Sequence, residues 1–124
     1  MSDLLVHARR ELERARSTHD PVEAHLTQRQ AAEKAWGYVV EETNRIAGIT
    51  ATGPGAHHLR REALAALDRR AGTSLLRDYI EFEYRLHGEG FYDGRGRLHD
   101  IAQYVELASA YPEKLRRALE QVRR

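Results

Sequence analysis

Apolar positions recur every three to four residues along most of the chain, and no stretch of five or more alternates as a half-buried strand would, so the predicted elements are helices. Leu5, Ala8, Leu12 and Ala15 mark a first helix capped by Ser2 or Asp3, with Arg9, Arg10, Glu13 and Arg14 mostly left to solvent. Asp20 as cap, Pro21 at the first helical position and Glu23 as the reciprocal member of a capping box start a second helix near residue 21. Its stripe runs through Val22, Leu26, Ala32, Ala35, Trp36, Val39, Val40, Thr43, Ile46 and Ala47, is interrupted early by Arg29 and Gln30, and stops at Gly48. At ~1.5 Å per residue this rod is about 40 Å long. Gly37 inside it costs about 1 kcal/mol relative to Ala, which predicts that a neighbouring helix comes close beside Trp36.

Residues 49–55 have turn composition, so the chain is expected to reverse there. His57 to Arg70 reads as a third helix with Leu59, Ala63, Ala66 and Leu67 inward, ended by Gly72; Thr73 or Ser74 then caps a fourth running to about Leu86. Leu75, Leu76, Tyr79, Ile80 and Phe82 make that helix apolar nearly all round at its start, so more than one face calls for cover, and a partner chain would supply it. Residues 88–97 hold four of the nine glycines around Phe91 and Tyr92 and read as a loop. The last helix carries Leu98, Ile101, Ala102, Val105 and Ala108, is kinked or restarted at Tyr111 and Pro112, and continues through Leu115, Ala118, Leu119 and Val122. The predicted fold is all-α, an up-and-down bundle of four to five helices in a single domain over residues 1–124, built around the long second helix.

Composition narrows the chemistry. The absence of cysteine removes disulfides, thiolate catalysis, iron–sulfur clusters and cysteine-based zinc sites. No window approaches the ~18 apolar residues of a membrane helix, and residues 1–16 mix both charge signs unlike a signal peptide, so a cytoplasmic protein without membrane contact is expected. Basic and acidic residues number 20 and 19, and neither half of the chain departs from that balance. Any nucleic-acid binding must therefore come from a local patch.

Histidine, at 7, 19, 25, 57, 58, 87 and 99, is the densest candidate base or ligand. No Glu precedes a His by three residues, and no two His stand four apart around a Glu, so neither a metal nor a cofactor is expected; His58 and Glu62 come nearest to ligand spacing. Arg85 with His87, and Arg97 with His99, flank the glycine-rich stretch, which would bring all four to one rim beside Phe91 and Tyr92. An Arg to hold phosphate charge and a His to move a proton are what a metal-independent ribonuclease needs. Against that, residues 78–93 hold five carboxylates and Arg85 alone, a field that repels phosphate and that equally suits helix ends on a solvated acidic face. The basic residues after Pro112 read either as a patch for an acidic partner or as cations favoured by a helix C-terminus.

Taken together, Gln30, Ala31, Ala32, Glu33, Lys34, Ala35, Trp36 and Gly37 in the long helix, the histidine-led third helix, and Leu86, His87, Gly90, Phe91, Tyr92 and Asp93 before the last helix resemble the HEPN superfamily over residues 3 to about 110. The similarity is to its small stand-alone members. The resemblance implies a helical bundle that forms a homodimer and acts with RNA or a nucleotide, or beside a nucleotidyltransferase-type protein. Ribonuclease members of that family carry Arg and His separated by four to six residues near the later helices. Here Arg85–His87 and Arg97–His99 have one residue between them, and Arg14–His19, which fits the spacing, lies at the end of the first helix. The expected function is a non-catalytic binding bundle with Arg85, His87, Phe91, Tyr92, Arg97 and His99 as candidate binding residues. A ribonuclease and a purely structural interaction module are the alternatives.

Overall fold

Asp20 and Gly48 bound the rod against which the other helices are assembled. The structure, a computed structural model, describes residues 3–53 and 55–123; the candidate cap Ser2, the turn residue Pro54 and the terminal Arg124 lie outside them. Helix α1 spans Leu4–Ser17, α2 Pro21–Ala47, α3 Gly55–Ala71, α4 Leu75–Phe82 and α5 Leu98–Arg123, and α4 runs directly into a π-helical segment, Glu83–Tyr92. No strand occurs among the described residues, and the protein is an all-α helical bundle. Both α2 and α5 touch every other element, so the long second helix shares the central position with the last one. No helix of the described residues is long and apolar enough to cross a membrane.

The ends of α2 follow local chemistry: Asp20 Oδ1 accepts from the Val22 amide at 2.9 Å, and Gly48 closes the helix at φ +72°. Other caps differ from the expectation. Asp3 has helical backbone angles and makes no side-chain cap bond. At α4 Ser74 occupies the cap position, but its side chain makes no cap bond. Asp68, at the end of α3, accepts from the Leu75 and Leu76 amides at 2.8 and 2.9 Å and from the Thr73 hydroxyl at 2.6 Å. Gly72, at φ +69°, turns the chain back so that one carboxylate satisfies two amides a hydroxyl would serve singly.

Ala8 and Leu12 of α1, Ala31, Ala32, Ala35, Trp36 and Val39 of α2, and Ile101, Val105, Ala108, Tyr111 and Leu115 of α5 make most of the core, closed by Leu64, Leu75, Tyr79, Phe82 and Leu86. The buried face of α2 differs from the expectation at its start: Val22 and Leu26 are exposed while Thr27 and Ala31 are buried. In α3 the inward residues are Ala56, Arg60, Leu64 and Leu67, and Leu59 faces outward. α5 passes through Pro112 without a break; Pro112 is buried, and the neighbouring Tyr111 hydroxyl bonds Thr43 Oγ1 of α2 at 2.8 Å.

The glycine-rich stretch is shorter as a loop than its composition suggests, since helix persists to Tyr92. A Cβ on Gly90 would lie 2.8 Å from Ala32 Cβ and 2.9 Å from the Arg85 carbonyl oxygen. That glycine serves a close approach to α2. At Gly37, by contrast, the approaching group is the tip of the Leu4 side chain, 3.1 Å from where a Cβ would stand.

Candidate functional site

Trp36 is almost wholly buried, and three rings from three other elements lean on it. His57, in the first turn of α3, stacks at 6.0 Å between ring centres; His87, from the π segment, stacks at 5.7 Å; Tyr79 of α4 is tilted at 5.2 Å. Beneath them lies Arg60, buried, whose Nε donates to the Tyr79 hydroxyl at 2.7 Å, one Nη to Asn44 Oδ1 at 3.2 Å and the other to His57 Nδ1 at 3.1 Å. A guanidinium only donates, so His57 Nδ1 accepts, the proton sits on Nε2 and the ring is neutral. Burial first, and the Arg60 charge second, lower the His57 pKa below its ordinary value; Glu83 Oε2, 3.5 Å from the same nitrogen, opposes them and is itself paired with Arg61.

His87 has the opposite arrangement. Its Nδ1 lies 2.9 Å from Glu33 Oε2, and a carboxylate only accepts, so Nδ1 carries a proton. Trp36 thus stands between one histidine whose Nδ1 accepts and another whose Nδ1 donates.

Outward from His87 the aromatic groups continue. Tyr92 meets the His87 ring edge-on at 4.8 Å, Phe91 lies nearly parallel to it at 6.4 Å, and the Phe91 and Tyr92 rings touch at 5.3 Å. Arg29 of α2 secures this rim: Nε donates to the Phe91 carbonyl at 2.7 Å, an Nη to the Tyr92 carbonyl at 3.4 Å, and the guanidinium stands 5.7 Å from the Phe91 ring centre. These carbonyls end the π segment and have no helical partner, so a cation meets both their hydrogen-bonding need and the helix-end dipole. Gln28 adds a bond to the Gly96 carbonyl at 2.8 Å. The Tyr92 ring is 66% exposed on this rigid support.

Of the residues singled out in the sequence, His87, Phe91 and Tyr92 therefore come together. Arg85 stands apart from them. Two residues before His87, it faces nearly the other way, pairs with Glu81 at 3.2 Å and Glu89 at 2.6 Å, and lies over the rings of Tyr84 and Tyr104. With Arg95, Asp100 and Gln103 it lines a separate cavity of about 270 Å³. The Arg97 side chain is exposed and makes no ion pair or hydrogen bond among the described residues, and His99 is solvent-exposed with only Asp100 at 3.7 Å. The single rim expected from residues 85–99 is split between two faces. His58 and Glu62 form a solvent-exposed pair at 2.8 Å, and among the described residues no three His, Asp or Glu side chains gather as a metal site.

Glu33, Asn44, Arg60, Tyr79 and Glu83 were not singled out for chemistry by sequence, and His57 stood only among the seven histidines and at the head of the third helix. One signal pointed to them: Arg60 occupies the i+4 step between Ala56 and Leu64, a charged residue inside an apolar stripe. Arg29 and Gln30, noted as interrupting the stripe of α2, held a similar signal. No protein-family model, curated protein or solved structure matches the chain at a significant level.

Proposed function

We propose that this chain is a HEPN-type helical bundle that acts as a non-catalytic binding module, a homodimer that holds a nucleotide or single-stranded RNA against the rim of His87, Phe91 and Tyr92. The observation that carries this reading is the exposed Tyr92 ring, backed by His87 and Phe91 and held through its own backbone by Arg29. A base stacks on such a ring with little loss of side-chain freedom, and Arg29 is the adjacent cation for its phosphate. The separation of Arg85 from His87 supports binding over cleavage, because the clamp and the base of the ribonuclease reading do not share a face. Support for the homodimer comes from Ile80, Tyr84 and Leu107, large apolar side chains exposed on α4, the π segment and α5.

One observation favours the ribonuclease alternative: His57 and His87 both stand against one tryptophan, and a pair of imidazoles is what metal-independent acid–base cleavage uses. Labelled single-stranded RNA incubated with the protein and a chelator separates the two. Intact RNA whose binding weakens about tenfold in Tyr92→Ala fits the binding module, since one stacked base contributes ~1–3 kcal/mol. Cleavage abolished by His57→Ala and His87→Ala selects the enzyme. Absent binding defeats both, and light scattering showing a monomer at high micromolar concentration defeats the homodimer.

A further inference from the structure

Residues 36 and 38 of α2 point roughly 200° apart at 3.6 residues per turn, so Tyr38 looks away from the histidine cluster. On that face α1, α2 and α5 enclose a cavity of about 570 Å³, within the size range of small-molecule sites. Leu5, Val6 and the Tyr38 ring form its apolar wall, and Arg9, Arg45 and Arg116, one from each helix, stand around it.

Each guanidinium is oriented by a carboxylate and keeps donors to spare. Arg9 spends Nε and one Nη on Glu106, both at 3.0 Å; Arg45 spends the same pair on the buried Glu42; Arg116 gives one Nη to Glu113 at 3.1 Å. With five N–H groups on each, at least one Nη of every arginine is uncommitted. The Tyr38 hydroxyl makes no hydrogen bond among the described residues; burial first, and Glu42 second, raise its pKa above the ordinary tyrosine value, and Arg116, Arg45 and Arg9 oppose them in smaller measure. Glu42 also lines the cavity, and the paired carboxylates cancel most of the long-range field, so this is a poor surface for a polyanion, while the uncommitted Nη groups remain as donors for one compact anion.

We propose that this cavity binds an aromatic phosphomonoester, its ring against Tyr38, Leu5 and Val6 and its three terminal oxygens shared among Arg9, Arg45 and Arg116. Three forks from three directions match a tetrahedral phosphate better than a planar carboxylate, which one fork satisfies. The site is independent of the His87 rim. Calorimetric titrations with phenyl phosphate, adenosine monophosphate, inorganic phosphate and phenol test it, with arginine Nε signals followed by NMR. Saturable binding of either ester, about tenfold or more tighter than inorganic phosphate, with phenol silent, is the expected result, and the tighter ester shows whether the aromatic part is a base or a single ring. Arg9→Gln and Arg116→Gln, which break only exposed pairs of little weight in stability, should each weaken binding about tenfold while retaining the wild-type melting temperature. Phenyl phosphate should still shift the Nε signals of Arg9 and Arg116 in Tyr92→Ala, which separates this cavity from nucleotide binding at the rim. The proposal is overturned by absent saturation at millimolar ester, by unaltered affinity in both arginine variants, by equal binding of inorganic phosphate, or by ester titrations that leave the Nε signals of Arg9, Arg45 and Arg116 unmoved.

Discussion

Arg60 is a buried cation whose hydrogen bonds all go to neutral groups, the Tyr79 hydroxyl, the Asn44 amide oxygen and the His57 ring. That choice of partners governs His57, which is held neutral with its pKa lowered by burial and by Arg60. A histidine with a lowered folded pKa binds fewer protons than the unfolded chain just below pH 6.5, so stability rises with pH across that window and falls as the solution is acidified through it. Urea denaturation in steps downward from pH 7 should show this slope, and His57→Gln should flatten it; an unchanged slope would mean that other groups cause it. Elsewhere in the core, Thr43 Oγ1 donates to the Val39 carbonyl at 2.7 Å, so its contact with Tyr111 leaves the tyrosine as donor. Tyr111→Phe removes that buried bond and should cost about 1–2 kcal/mol in chemical denaturation. In the sequence Tyr111 stands out only with Pro112, as a kink or restart of the last helix, and the structure puts it in the core. Its bond to Thr43 was hidden because the two residues are far apart in the chain.

Among the elements, the π segment depends most on its surroundings. Its pitch brings Gly90 against Ala32 and the Arg85 carbonyl, neither of which is a flexible side-chain end. Gly90→Ala should therefore destabilise by about 1–3 kcal/mol, the range for overpacking, and reduce the helical circular-dichroism signal if the segment unwinds. A neutral substitution would show that α2 and the π segment are separable. Asp68 ties α3 to α4 through two amides and a hydroxyl. Asp68→Ala should cost about 1–2 kcal/mol, as lost caps do, whereas Ser74→Ala, with no cap bond to lose, should be close to neutral. The cap of α2 was readable because Asp20 and the amide it serves are two residues apart. The α4 cap was hidden because it acts across the reversal at Gly72, and sequence shows the glycine without showing where it sends the chain.

For the molecule as a unit, Trp36 is the point where α3, α4 and the π segment meet α2. Trp36→Ala should cost about 3–5 kcal/mol by denaturant titration and weaken binding at the rim even under conditions where the variant is folded, because His87 loses its support. A loss below about 1 kcal/mol would show that the three elements pack without it. Helix existence, the burial of Trp36, the long α2 and the all-α class were all legible in the order of residues, since turn-by-turn hydrogen bonds and periodic apolar faces act within a few positions. The grouping of functional side chains followed a different rule. His57 and Arg60 reach Tyr79 of α4, and His87 reaches Glu33 of α2, through packing between segments far apart in the chain. Local spacing prescribes helices and one apolar side for each. Which charged residues share a face is settled when those sides close on one another, because small rotations about each axis have similar local energies and only mutual packing distinguishes them.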